Sequence, residues 1–329
     1  MDSTRGEQYE YQPELDAYLR ALDRVIPDAV EGVYLTGSAA LGDYHHGQSD
    51  LDLLTLTTHP LTESEMAALE AAHMELEQGT QPHLDAVYIP REFIGKLPPR
   101  EARGHAYVVD GEFKRGHDSQ DLVIWAILDQ CGITLRGPEA KSLDAAPDRA
   151  EFAAWNLGNL EDYWRAQAQA ARQVLGERDV DAQLPTYSAV WFGTGPGRLH
   201  RTIATGEIIS KSRSAEYSAE LFPAYRELLA RVRASRMGDE SVAFTTRDGL
   251  ALCDLVDEIC DSAEKLAQRS GQAIGAPQGR AAQPPRDVAS RTLSSGNAGR
   301  AQSEISSCST ATSHCEPSGA VAPADRHEV

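Results

Sequence analysis

The chain has 329 residues, 41% of them hydrophobic, and a formal net charge of −19, which allows two domains with a sizeable core. Such an acidic body repels nucleic-acid backbones, so no DNA or RNA partner is expected, and it is compatible with a small cationic molecule as well as with a purely solubilising surface. No apolar run approaches the ~18 residues of a membrane-spanning helix, and the N-terminus MDSTRGEQYE has no charged-then-apolar signal layout, so a cytoplasmic protein without a membrane partner is expected, acting as a monomer.

In chain order, Leu15, Tyr18, Leu19, Leu22, Val25 and Ile26 recur at spacings of three and four, which predicts an amphipathic helix ending before Pro27. A strand over 33–36 runs into Gly37-Ser38, and a second strand over 51–57 follows a short connector that holds His45 and His46. Adjacent loop histidines are expected to be exposed, with contact to phosphates as the alternative. Thr62-Glu63-Ser64-Glu65 has the capping-box layout for a helix to about Gln78. The run from His83 to Ile89 alternates as a strand and stops at Pro90, with Asp85 on the face of His83 and Val87. The stretch 90–116 reads as an irregular loop over a site. Asp118 or Ser119 then caps a helix over 121–131 ended by Gly132, and 133–135 is a short strand. This order predicts a small α/β domain over 1–145.

From about Asp148 the pattern is helical alone, over 151–175, 186–206, 210–220, 223–236 and 247–268, which predicts an all-α bundle over 146–270. Gly193-Thr194-Gly195-Pro196-Gly197 should kink or break the second of these helices, or form a loop between two shorter ones. Residues 271–329 contain no Phe, Trp or Tyr and balance five arginines against five acids, so a disordered tail is expected there. The five cysteines form no C-x-x-C pair, as suits reduced thiols rather than a disulfide framework or a zinc site.

The chemistry concentrates around Gly37-Ser38 and Ser49-Asp50-Leu51-Asp52. Residues two apart on a strand point to one face, so Asp50 and Asp52 are aimed together at the turn. Two hard anionic ligands beside backbone N–H groups and a hydroxyl suit a magnesium-bound nucleoside triphosphate. There is no G-x-x-x-x-G-K-[ST] loop for a competing nucleotide fold.

A strand, Gly-Ser turn and D-x-D strand at this spacing resemble the nucleotidyltransferase superfamily. The segments NLEDYW (159–164) and RLHRTIATGEIISKSRSAEYSAELFP (198–223), with the helix ending at Arg236, resemble the C-terminal domain of aminoglycoside adenylyltransferases of the spectinomycin and streptomycin type. Thr205 to Lys211, T-G-x-I-x-S-K, is the most distinctive part, and the tail has no counterpart. The resemblance implies that a nucleotidyltransferase domain built on a small mixed sheet is followed by a helical bundle that clamps ATP and substrate.

It further implies that Gly37 and Ser38 cradle triphosphate oxygens, that Asp50 and Asp52 hold two Mg²⁺, and that Asp85 completes the metal site and takes the acceptor proton. Lys211 and Arg198 would face the phosphates from the other domain, Lys211 stabilising pyrophosphate as it leaves. The implied reaction is transfer of AMP from ATP to a hydroxyl of a cationic antibiotic. ATP would bind first, and the site would be complete once both domains close on it. In this family acids and a tryptophan of the helical domain hold the sugar rings, which makes Asp179, Asp181 and Trp191 the acceptor candidates here, with Glu161, Asp162 and Trp164 beside them. A tryptophan on a helix is more often a core residue than a platform for a ligand. Adenylylation of a protein or another hydroxyl compound, and a nucleotide-binding regulatory module, are the alternative readings.

Overall fold

The computed structural model describes residues 10–77, 82–99, 101–109, 111–116 and 122–273. Its first unit is a six-stranded mixed sheet in the order β5-β4-β3-β2-β1-β6, formed by β1 (Val30–Leu35), β2 (Leu51–Thr57), β3 (Leu84–Pro90), β4 (Ala106–Val109), β5 (Glu112–Arg115) and β6 (Ile133–Arg136). β2 and β3 are the parallel pair, in a register that sets Asp52 beside Asp85, and the other neighbours are antiparallel. Helices α1 (Gln12–Val25) and α3 (Glu63–Leu76) cover one face, and α4 (Leu122–Cys131) covers the other.

Alternation along the strands divides the side chains between these two layers. Leu51 and Leu53 of β2 pack with Leu15, Tyr18 and Leu69, whereas Leu54 and Leu56 pack with Leu122 and Trp125. Asp52 and Asp85 therefore belong to the α4 face. The capping box at Thr62 forms as expected: its side chain accepts from the Glu65 N–H, and Glu65 reaches back to the Thr62 N–H. That helix ends at Leu76 with Glu77 as its cap, close to the expected Gln78, whereas the cap at Asp118 or Ser119 lies outside the described residues.

The second unit comprises α5 (Arg149–Asn159), a π-helical turn (Leu160–Trp164), α6 (Arg165–Gly176), α7 (Thr186–Thr205), α8 (Lys211–Leu221), a 3₁₀ turn (Pro223–Tyr225), α9 (Arg226–Arg236) and α10 (Thr246–Ala273). Its core includes Trp164, Trp191, Phe192, Phe244 and Leu252. No helix among the described residues is long and apolar enough to cross a membrane.

Two expectations are corrected. The stretch 90–116 contains the hairpin β4–β5, which extends the sheet beyond β3; each strand has only four residues, and the edge strand Glu-Phe-Lys-Arg carries too little apolar alternation to announce itself. The helical unit forms as expected, with a two-residue ladder of β7 (Gln183–Leu184) and β8 (Phe244–Thr245) added to its helices. Its α7, however, runs as one helix through Gly193 to Gly197 rather than opening into a loop. The glycines serve close packing: a Cβ on Gly195 would collide with the Trp164 ring, and one on Gly197 with the hydroxyls of Ser214 and Ser218. The expected tail begins at 271, whereas α10 continues to Ala273, and residues 274–329 lie outside the described residues.

Candidate active site

The turn after β1 is folded onto the start of β2. Thr36 donates its N–H to the Asp52 carbonyl at 2.8 Å and its hydroxyl to the same oxygen at 3.1 Å. Gly37 then takes a left-handed φ of 55°, and α2 (Gly37–Ala40) follows as a single helical turn. A Cβ at Gly37 would fall on the Asp52 carboxylate, so glycine is required both by the backbone and by the acid lying against it. The Ser38 N–H donates to the Asp52 carboxylate. Gly37→Ala is expected to weaken MgATP binding about tenfold or more, measurable by calorimetry, and unchanged affinity would show that the turn does not cradle the phosphates.

The opposite wall comes from the T-G-x-I-x-S-K segment. Gly206 ends α7 in a left-handed conformation, φ 80°, with its N–H on the Thr202 carbonyl at 2.7 Å. Ser210 caps α8 by accepting from the Arg213 N–H, which makes Lys211 the first residue of that helix. Gln130 of α4 ties the segment to the sheet unit, donating to the Gly206 carbonyl and accepting from the Ile208 N–H, both at 2.9 Å.

Gly37, Ser38, Asp50, Asp52, Asp85, Arg198 and Lys211 thus line one cleft between the two units, joined by Asp43, Ser49 and Arg236. Its electrostatics are those of crowded charge. Burial, and then the neighbouring Asp50 charge, push the Asp52 carboxyl up to about 6, against the opposing pull of Lys211, the Ser38 N–H and Arg198. Burial also raises Asp50, with His83 and Lys211 drawing it back. Across the cleft, burial and then the charges of Arg198 and Arg236 bring Lys211 down to about 8. Burial and Arg236 lower Arg198 to about 10.

Among the described residues no three His, Cys, Asp or Glu side chains converge closely enough to form a metal site. The donor chemistry nevertheless fits a hard divalent cation: Asp50, Asp52 and Asp85 border one cleft, and the first two are raised in pKa chiefly by burial, so that their charged forms are held at a cost a bound cation would offset.

Residues 15–108, which span β1, the Gly-Ser turn, the D-x-D strand and Asp85, match the nucleotidyltransferase domain family. The sheet unit is a nucleotidyltransferase domain. A solved structure of spectinomycin adenyltransferase AAD(9) from Enterococcus faecialis, with ATP and spectinomycin, is similar to this chain at a TM-score of 0.49 and 14% identity, over 77% of this chain and 98% of that one.

Around the nucleotidyltransferase domain the predicted acceptor residues are placed elsewhere than the cleft. Asp179 and Asp181 are exposed beyond α6, where Asp179 accepts the Asp181 N–H at 2.9 Å and Asp181 pairs with Arg247 at 3.2 Å. Trp191 and Trp164 are core residues with ring centroids 4.5 Å apart. Glu161 pairs with Arg165 at 2.8 Å, and Asp162 is exposed. None of these six borders the cleft. His45 and His46 do not line it either: His45 is partly buried with its Nε2 3.2 Å from Asp43 Oδ1, and His46 is exposed 4.0 Å from Glu10.

Among the cleft residues outside the sequence-based set are Asp43, Asn156 and Arg236. Arg236, the last residue of α9, donates to the Asp43 carbonyl at 3.2 Å and to Ser49 Oγ at 3.0 Å. Its only signal in the sequence is its place at the end of a segment used for the resemblance.

Proposed function

We propose that the protein transfers AMP from ATP to a hydroxyl group of an aminoglycoside or aminocyclitol antibiotic, releasing pyrophosphate. The observation that carries nucleotidyl transfer is the in-register pair Asp52 and Asp85 on adjacent parallel strands, sharing a cleft with Lys211 and Arg198 of the helical unit. The antibiotic acceptor rests on the resemblance of segments 159–164 and 198–223 and on the acidic body of the chain.

Residues 1–145 would act as the nucleotidyltransferase domain and 146–270 as the clamp. Asp50, Asp52 and Asp85 would hold magnesium, which when bound neutralises charge on the triphosphate. Ser38 would offer its hydroxyl, and the turn its N–H groups, to phosphate oxygens. Asp85 would accept the proton of the attacking hydroxyl, which requires the acceptor to dock within hydrogen-bond reach between the units. Lys211 and Arg198 would offset the charge that develops on departing pyrophosphate.

One observation favours a less cationic acceptor. Apart from the residues already named, much of the cleft lining is aliphatic, from Val87, Val109, Val123, Ile124, Ile127 and Ile208, and the acids of the helical unit proposed for the sugar rings point elsewhere. Pyrophosphate release from MgATP with spectinomycin, streptomycin, other aminoglycosides and neutral polyols separates these readings. Release that depends on an aminoglycoside supports the first, release with neutral hydroxyl compounds alone supports the second, and none with any acceptor overturns both.

Lys211→Ala is expected to lower turnover about 10²–10³-fold, with acceptor affinity nearly unchanged, since its partner would be the leaving group. Normal turnover at saturating acceptor would show that Lys211 does not act on pyrophosphate.

A further inference from the structure

The connector between α2 and β2 is fastened to the helical unit by a buried carboxylate and a buried arginine. Asp43 is buried, at 7% exposure, and comes from the nucleotidyltransferase domain. Its Oδ2 accepts the backbone N–H of Ser212, in the first turn of α8, at 3.1 Å. Burial pushes this carboxyl up, but the Ser212 hydrogen bonds, the Arg236 charge and His45 hold it below its usual range. Both ends of the connector are also held by Arg236, 5% exposed, which donates to the Asp43 carbonyl and to Ser49 Oγ. Ser49 Oγ in turn accepts the His45 N–H at 3.0 Å. The connector from 43 to 49 is thus braced on both sides immediately before Asp50.

Lys211 is the residue preceding Ser212, and no other helical residue separates it from the Ser210 cap. Of the free N–H groups at the start of a helix, that of Arg213 goes to Ser210 and that of Ser212 goes to Asp43. The positive end of α8 is therefore already matched by a carboxylate of the protein, and the Lys211 side chain is left to face the cleft. We propose that Asp43 is the positioning residue for Lys211: by accepting the Ser212 N–H across the domain boundary, it docks the first turn of α8 and sets where the Lys211 ammonium stands over Asp50 and Asp52. This rests on the nucleotidyl-transfer reading for its catalytic consequence, whereas the docking itself does not.

A double-mutant cycle tests it with the full-length chain. Asp43→Ala is expected to lower turnover about 10- to 100-fold, the scale of an ångström-sized misplacement, with the acceptor KM changed by less than about twofold. Asp43→Asn, which keeps an oxygen acceptor for Ser212, should recover most of the loss. Placed on Lys211→Ala, the Asp43→Ala change should cost less than about twofold, because it acts through the lysine. An equal loss on both backgrounds, or an Asn variant as impaired as the Ala variant, overturns the proposal.

The same cycle is read on MgATP affinity by calorimetry without any acceptor, alongside hydrogen exchange of the Ser212 and Arg213 amides. Those amides should exchange faster in Asp43→Ala and remain slow in Asp43→Asn. A wild-type chain that binds MgATP but turns over no acceptor overturns the proposed activity, while the affinity cycle and the exchange data still decide the role of Asp43. A wild-type chain that does not bind MgATP overturns both. Should Asp43→Ala fail to fold, Asp43→Ser, whose shorter side chain does not reach the Ser212 N–H, carries the cycle against Lys211→Ala, and an equal loss on both backgrounds there overturns positioning.

Discussion

Asp85→Asn is expected to lower pyrophosphate release about 10²–10⁴-fold, the usual contribution of a general base, while weakening MgATP binding far less. Asn is isosteric with Asp and keeps one oxygen acceptor, but it cannot take a proton from an attacking hydroxyl. Parallel pairing puts residue 85 directly beside residue 52, so the substitution leaves the sheet register and the hydrophobic layer of Val87 and Ile89 in place. Steady-state turnover at saturating MgATP, paired with calorimetry of MgATP binding, reads the two effects separately. A turnover loss below about tenfold would remove Asp85 as the base. A collapse of MgATP affinity matching the turnover loss would make it a ligand only.

Asp52→Asn is expected to do two opposite things: abolish turnover and stabilise the ligand-free fold. The Asp52 carboxyl is raised from 3.8 to about 6, chiefly by burial and by Asp50. A group raised in the folded state contributes stability that is fully present below its unfolded pKa and is lost as pH rises through the folded one. At pH 7.5 the ionised side chain therefore acts against folding, by roughly 1–3 kcal/mol once its partial exposure is allowed for. Asn removes that penalty, and the melting temperature should rise by roughly 3–10 °C. The gain should shrink through pH 6 and vanish near pH 3.5. Magnesium titrated in at pH 7.5 should stabilise wild type more than the variant. Equal melting temperatures at pH 7.5, or a gain that persists at pH 3.5, would show that residue 52 carries no such strain. Stability withheld at carboxylates proposed to take part in the reaction is the usual trade between fold and function.

How far the sequence speaks depends on whether a feature is local. The D-x-D strand, the capping box at Thr62 and the T-G-x-I-x-S-K turn each follow from side chains a few residues apart, and they form where the periodicity and caps place them. Asp85 was legible because the alternation of its own strand, together with the family pattern, places it, and the pairing then brings it to Asp52. Asp43 and Arg236 were not, because their hydrogen bonds cross 169 to 193 positions of chain and no local pattern reports so distant a partner. The glycines of α7 misled for a related reason. Propensity counts against them in an isolated helix, and only the Trp164 ring and the α8 serines on the far side explain them. Asp179 and Asp181 were candidates only through the family pattern of acids around the sugar rings, with no local signal to place them. The structure uses one for a turn and the other for an exposed ion pair.

The contact of Trp164 with Gly195 also bears on how such a cleft can diversify. The helix that presents Arg198 is threaded between an indole on one side and the hydroxyls of Ser214 and Ser218 on the other, with Val232 close to Gly193. A side chain introduced at any of these three glycines must displace a ring, a buried hydroxyl or a packed valine before it can reach a ligand. Under the proposed function, heritable changes in acceptor choice would thereby be channelled away from α7 and towards Val123, Ile124 and Ile127 on α4, together with Val109 at the end of β4, where a swap of aliphatic shape or polarity alters the lining and leaves Arg198 where it stands.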